Sequence, residues 1–166
     1  MTFLFAFFED RRLGLAAAGA LAIVVGSALP WIHVPQPLIG VVSGSGLQED
    51  GKVTVVLGTL AIGLLVAFAR LRQRDLANGA CRAGLGAAGI AAYYLADLTH
   101  HAARVIARLL SGGEPPIEPS QIAAVPARAG AGIYVVTAGA AVLAVMVLAL
   151  TIRAPGRTGR EPPESS

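Results

Sequence analysis

Long apolar stretches alternate with short charged clusters along the chain. The apolar stretches cover residues 13–29, 53–69, 83–98 and 130–152, and Pro30 directly follows the first of them. An α-helix rises about 1.5 Å per residue and the hydrocarbon core of a bilayer is about 30 Å thick, so stretches of this length suit membrane-spanning helices. The pattern predicts an all-α integral membrane protein. We expect residues 1–152 to form a four-helix bundle, followed by a polar C-terminal tail at residues 153–166.

The polar residues at the end of the third stretch have helical spacing. Asp97, His100, His101, Arg104 and Arg108 fall on neighbouring positions of one helical face, and apolar residues occupy the other face. This spacing predicts that the third helix continues beyond the membrane as an amphipathic segment to residue 110. Asp97 and His101 are four residues apart, which places a carboxylate and an imidazole within reach of each other.

Small residues recur at every fourth position in the first and third stretches. They are Gly14, Ala18, Ala22 and Gly26 in the first, and Ala80, Gly84, Ala88, Ala92 and Ala96 in the third. Lipid tails are as apolar as leucine, so helices in a membrane associate through close packing, which small residues permit. We therefore expect the first and third helices to pack against each other, with Gly84, Ala88 and Ala92 as contact residues.

Composition agrees with a membrane location. Hydrophobic residues make up 55% of the chain and charged residues only 14%, whereas about a quarter of the residues in soluble domains are charged. The arginines lie at the ends of the apolar stretches rather than along one helical face. We therefore expect the lipid bilayer to be a partner and nucleic acid not to be one.

The distribution of basic residues predicts the orientation. A cytoplasmic N-terminus places nine basic residues in the cytoplasm: Arg11, Arg12, Arg70, Arg72, Arg74, Arg82, Arg153, Arg157 and Arg160. It leaves four outside: Lys52, Arg104, Arg108 and Arg128. Cytoplasmic loops of membrane proteins carry the excess of Lys and Arg. We expect both termini in the cytoplasm, and a multi-pass protein of a bacterial inner membrane.

Four polar residues near the outer membrane surface are candidate ligands. A neutral imidazole is a common ligand of metals and haem, and ionisable groups near a membrane interior are functional candidates. His33, His100, His101 and Asp97 could therefore contact a haem, a pigment, a metal or a quinone headgroup. The alternative is an interfacial helix whose charges meet lipid headgroups or a partner protein, with no cofactor and no metal site.

Three further residues are candidates for contacts with the membrane or a partner. Trp31 directly follows the first stretch, where tryptophan is typical of the membrane–water interface. Arg104 and Arg108 would lie on the polar face of the amphipathic segment.

No catalytic motif is present. The chain lacks HExxH, a P-loop, CxxC and GxSxG. Gly84-Leu85-Gly86-Ala87-Ala88-Gly89 matches the dinucleotide fingerprint, but it lies inside an apolar stretch without the strand that this motif requires. The centres of the four stretches carry no ionisable residue, which disfavours ion transport. We expect neither catalytic residues nor an enzymatic activity.

Several short motifs resemble one group of membrane proteins. They are Leu29-Pro30-Trp31, Ser43-Gly44-Ser45-Gly46-Leu47, Asp50-Gly51-Lys52-Val53-Thr54 and the stretch from Gly130 to Gly139. In this pattern the chain resembles uncharacterised small four-helix membrane proteins of high-GC Gram-positive and related bacteria. The resemblance implies a four-span plan and carries no activity.

These observations favour an accessory or assembly subunit of a larger membrane protein complex, such as a respiratory or photosynthetic one, in contact with other membrane protein subunits. Two alternatives stay open. One is a redox helper that binds haem, metal or quinone through the His and Asp cluster. The other is an envelope sensor or signalling protein.

Overall fold

The computed structural model describes residues 10–36, 40–48, 51–111 and 127–153, which contain five α-helices and three β-strands. In chain order these elements are α1 (Arg11–Ala28), β1 (Pro30–Gln36), β2 (Gly40–Ser45), α2 (Gly51–Leu71), α3 (Arg74–Ala96), α4 (Leu98–Ser111), β3 (Arg128–Ala129) and α5 (Ala131–Arg153). The polar tail expected at residues 153–166 lies outside the described residues, except for Arg153.

Three of the helices are long and apolar enough to cross a membrane: α1, α2 and α5. Each begins and ends within two residues of an apolar stretch of the sequence. Asp10 caps α1 by accepting a hydrogen bond from the Arg12 backbone N–H at 3.2 Å, and Pro30 follows the end of that helix because it cannot extend the helical ladder. Helix α3 is less apolar, since Arg82 and several glycines lie within it.

The described residues are mostly helical, in line with the expected fold class, but they also form a small β-sheet. Strands β2, β1 and β3 form an antiparallel sheet in that order. The register between β1 and β2 shifts between Pro30 and Ile32, so Trp31 is an extra residue in β1. Such a bulge bends a strand and changes the direction of a side chain. The β-branched residues of the hairpin, among them Ile32 and Val34, suit a pleated strand, and sequence reasoning treated them as loop.

The segment expected to continue the third helix to residue 110 forms a separate helix. Helix α3 begins at Arg74 and ends at Ala96. Asp97 leaves the helical conformation, with φ −133° and ψ 52°, and α4 starts at Leu98 as a separate helix. Helix α4 is amphipathic, because Ala102 and Ile106 are buried whereas His100 is exposed.

The four long helices bury residues at alternating intervals of three and four. The positions with this spacing are Leu13, Ala16, Ala20, Ile23 and Ser27 in α1; Gly51, Thr54, Gly58, Ala61, Leu65 and Phe68 in α2; Ala77, Ala80, Gly84, Ala87, Ala91 and Tyr94 in α3; and Ile133, Val136, Ala140, Leu143 and Val147 in α5. Five further residues, Gly19, Gly26, Ala83, Gly132 and Gly139, are buried beside them. This is the heptad spacing of helices that cross at a small angle, about 20°. Helix α1 packs on α2 and α5, and α3 packs on α2 and α5.

Helices α1 and α5 touch through their backbones along a line that we call the α1–α5 seam, formed by Gly19 and Gly26 on α1 and Gly132 and Gly139 on α5. A Cβ atom on Gly19 would lie 2.7 Å from the Gly139 carbonyl oxygen, and one on Gly132 would lie 2.6 Å from the Gly26 carbonyl oxygen. Each helix thus contributes two glycines seven residues apart, and the pairing is antiparallel.

The expected pairing of the first and third helices is therefore wrong. Helices α1 and α3 lie across the diagonal from each other, and the closest partner of α1 is α5. The stripes of every fourth residue drift off the buried face, because Ala18 and Ala92 are exposed. A spacing of four exceeds the 3.5-residue period that the buried positions follow.

A pair of buried hydroxyl groups joins α1 to α2. Ser27 Oγ and Thr54 Oγ1 lie 2.6 Å apart. Ser27 Oγ also lies 2.6 Å from the Ile23 carbonyl oxygen, and Thr54 Oγ1 lies 2.8 Å from the Gly51 carbonyl oxygen. The two hydroxyl groups have only two hydrogens to donate, so not all three contacts can be full hydrogen bonds at the same time. Hydrogen bonds of this kind between membrane helices contribute roughly 0.6 kcal/mol each.

Candidate functional site: the aromatic stack at the sheet end

Trp31 occupies a slot between glycines at the end of the helices that carries the sheet, which we call the sheet end. Its indole Nε1–H donates a hydrogen bond to the Gly26 carbonyl oxygen at 3.0 Å. A Cβ atom on Gly46 would lie 2.5 Å from the indole Nε1, and one on Gly132 would lie 2.5 Å from Cδ1. The side chain is only 1% exposed. The indole is therefore enclosed by the protein itself, and the depth of Trp31 in a membrane stays a prediction.

Trp31 begins a column of rings that we call the aromatic stack, formed by Trp31, Tyr94 and His101. The Tyr94 ring meets the indole edge-on, with 5.1 Å between the ring centroids and an interplanar angle of 88°. The His101 imidazole lies flat on Tyr94, at 3.8 Å and 13°. Tyr93 approaches the same imidazole edge-on at 5.3 Å. Geometries of this kind contribute roughly 0.5–1.5 kcal/mol per aromatic pair beyond the burial of area.

Arg104 lies against His101. Its guanidinium Nη2 contacts the imidazole Nδ1 one helical turn away. A guanidinium can only donate hydrogen bonds, so Nδ1 accepts in this contact. The contact orients the imidazole of a residue that is fully buried.

The aromatic stack crosses the break in the chain at Asp97. Tyr94 lies in the last turn of α3 and His101 in the first turns of α4, and the His101 backbone N–H donates to the Asp97 carbonyl oxygen at 3.2 Å. Trp31 belongs to β1, which α4 also contacts. The stack thus holds α4 against α3 and the sheet, and this arrangement accounts for the burial of an imidazole without invoking catalysis.

The other candidate ligands are more exposed than His101. His100 and Asp97 are exposed, and His33 lies half-buried in β1, opposite Ser43 and Arg128. Within residues 10–36, 40–48, 51–111 and 127–153, no three His, Cys, Asp or Glu residues converge in a group that could hold a metal ion. Contact with a haem, pigment or quinone stays a prediction.

The remaining predicted contact residues divide between the interior and the surface. Gly84 is buried against Leu143, whose Cδ2 would lie 2.7 Å from an added Cβ. Ala88 is half-buried against the core and Ala92 is exposed. Arg108 lies in α4, and its side chain is outside the described part of the chain.

Sequence reasoning missed Tyr94 and the two glycines that enclose Trp31. A signal for Tyr94 exists, because it continues the spacing of three and four that runs through Ala87 and Ala91. Gly46 and Gly132 carry no local signal, since their role depends on a tryptophan that is distant from Gly132 in sequence.

Compared with protein-family models, with curated proteins and with solved structures, the chain has no match in any of the three.

Proposed function

We propose that the chain is a non-enzymatic, four-span membrane protein that acts as an accessory or assembly subunit of a larger membrane protein complex. The observation that carries this proposal is a groove on the outward face of α2, which we call the α2 groove. Its lining residues are Val55, Val56, Thr59, Leu60, Gly63 and Leu64, and its volume is about 520 Å³.

Gly63 marks the α2 groove as a contact surface. A Cβ atom added to Gly63 would meet nothing within 4 Å. Glycine in a helix interior is less stable than alanine by roughly 0.8–1.0 kcal/mol, and no neighbour among the described residues requires its small size. Thr59 precedes it by one helical turn. Two small residues four apart allow the backbone of another membrane helix to approach closely.

The outward face of α3 repeats this feature. Gly89 also has nothing within 4 Å of an added Cβ, and Ala92 and Ala96 on the same helix are exposed. Helices α2 and α3 are neighbours. Both helices thus carry exposed small residues on an otherwise apolar outward face, where a partner helix could approach closely.

The proposed topology takes α3 as the fourth span. Arg82 is exposed in the first half of α3, which begins at Arg74, and its guanidinium can extend along the alkyl stem toward the headgroups. The end opposite the sheet carries Arg11, Arg12, Arg70, Arg72 and Arg74. Cytoplasmic loops of membrane proteins carry an excess of basic residues. This end, together with both termini, is therefore proposed to face the cytoplasmic side of a bacterial inner membrane.

Co-purification tests the proposed function. The full chain, expressed in the cells that encode it and extracted in mild detergent, should retain other membrane subunits in fixed stoichiometry. Gly63→Leu fills the α2 groove and should release them. Val145→Leu is the matched control, because Val145 is also an outward residue, 58% exposed, but lies on α5. A wild-type chain that elutes alone, or equal retention by both variants, would contradict the proposal.

A further inference from the structure

The end of the helices opposite the sheet contains an open pocket, which we call the arginine pocket. Its volume is about 340 Å³, and its charged lining residues are Asp10, Arg12, Arg72 and Arg74. It lies where α1 and α3 begin and where α2 and α5 end, and Phe68 and Leu150 supply apolar walls. One pocket therefore combines guanidinium groups with apolar side chains.

The arginine pocket has an excess of positive charge. Three arginines against one aspartate leave a formal charge of two positive units. Asp10 already accepts a hydrogen bond from the Arg12 backbone N–H, and Arg12 Nη1 donates to the Ala149 carbonyl oxygen at 3.0 Å, which anchors that side chain between α1 and α5.

The other two guanidinium groups have donors to spare. Among the described residues, neither the Arg72 nor the Arg74 side chain forms a hydrogen bond or an ion pair. A guanidinium presents five N–H donors in a planar fork that matches the oxygens of a phosphate group.

The surroundings of the pocket favour a ligand with an apolar part. Ile152, next to the lining residue Thr151, is 74% exposed and points away from the protein interior. Helices α2 and α5, whose ends form the pocket, are apolar enough to cross a membrane. A phosphate held by the arginines would thus lie at headgroup depth, with acyl chains continuing along the outward surface of α5.

We propose that the arginine pocket binds the phosphate group of an anionic phospholipid. Basic pockets between membrane helices on the cytoplasmic side bind such headgroups. The site needs only the helices to lie in a bilayer. It does not depend on a partner subunit. The proposal for the α2 groove and the proposal for the arginine pocket can therefore be contradicted independently of each other.

The test measures the thermal stability of the full chain in detergent with three added probes: phosphatidylglycerol, phosphatidylcholine and inorganic phosphate. Phosphatidylglycerol should raise the melting temperature and phosphatidylcholine should not. Arg72→Asn should weaken the apparent affinity for phosphatidylglycerol roughly fivefold to tenfold, as expected for the loss of one surface guanidinium. Asparagine suits this position, because Arg72 has φ 56° and asparagine tolerates the left-handed region.

Arg11→Gln is the matched control. Arg11 is exposed at the same end of the molecule but does not line the pocket, so its removal should weaken the response less than Arg72→Asn does. Stabilisation by phosphatidylglycerol that depends on Arg72 supports the proposal, whether or not inorganic phosphate also binds. The comparison with inorganic phosphate shows whether the acyl chains contribute to binding. Stabilisation by inorganic phosphate alone, by neither probe, or to the same extent in both variants would overturn it.

Discussion

The α1–α5 seam and the α2 groove both contain helical glycines, and these glycines differ in what surrounds them. On the seam an added Cβ would strike backbone atoms, such as the Gly139 carbonyl oxygen at 2.7 Å from Gly19. At Gly63 in the groove an added Cβ would meet nothing. The first kind is explained by contacts within the chain. The second kind has no such contact among the described residues, and this difference motivates the proposal of a second molecule at the groove.

The largest effect should come from the seam. Gly19→Ala forces a Cβ against the Gly139 carbonyl oxygen and the Leu143 backbone nitrogen, at 2.7 and 2.9 Å. Backbone atoms cannot move aside cheaply, so α1 and α5 must separate. We expect a loss of about 1–3 kcal/mol in the free energy of unfolding, measured by denaturation in detergent. Unchanged stability would mean that the seam is not a close contact.

Gly84→Ala should have an intermediate effect. The nearest atom to the added Cβ is Leu143 Cδ2 at 2.7 Å, the far end of a flexible side chain. The gain in helix propensity, up to about 1 kcal/mol, should roughly offset the shift of Leu143. We therefore expect a change within about 1 kcal/mol of zero, by the same measurement. A loss as large as that of Gly19→Ala would show that α3 packs more rigidly than the structure indicates.

Gly63→Ala should not destabilise the isolated chain, and it should be the only one of these changes with opposite effects on two observables. In the isolated chain it should raise the free energy of unfolding by roughly 0.5–1 kcal/mol, because alanine favours the helix and nothing obstructs its methyl group. In the membrane it should reduce the amount of co-purifying partner. If stability falls instead, Gly63 is needed inside the chain and the contrast with the seam disappears.

The positions of α1, α2 and α5 could be predicted from the sequence because long apolar stretches have few alternatives to a helix. The buried face could not be predicted from small residues alone. The stripe through Ala18 and Ala22 follows a spacing of four, whereas the buried positions Ala16, Ala20 and Ile23 follow spacings of four and three. In a helix rich in alanine both patterns are present, and tertiary contacts decide which one is buried.

The sheet end was harder to predict, for two physical reasons. The hairpin contains Pro30, Pro35 and several glycines, which are typical of loops, and only the β-branched residues between them favour strands. The break at Asp97 has no glycine or proline to signal it. The stacking of His101 on Tyr94 spans this break, and it is a contact between two helices that helical spacing alone does not reveal.

Photo-crosslinking in native membranes tests the central claim, that the α2 groove binds another protein, most directly. A photo-reactive amino acid replaces Val56, a groove residue that is 64% exposed, or Leu148, an α5 residue that is 59% exposed. The account predicts one discrete crosslinked product with a different protein from position 56 and none of comparable yield from position 148. No product at position 56, a product only with a second copy of this chain, or equal yields at both positions would contradict it.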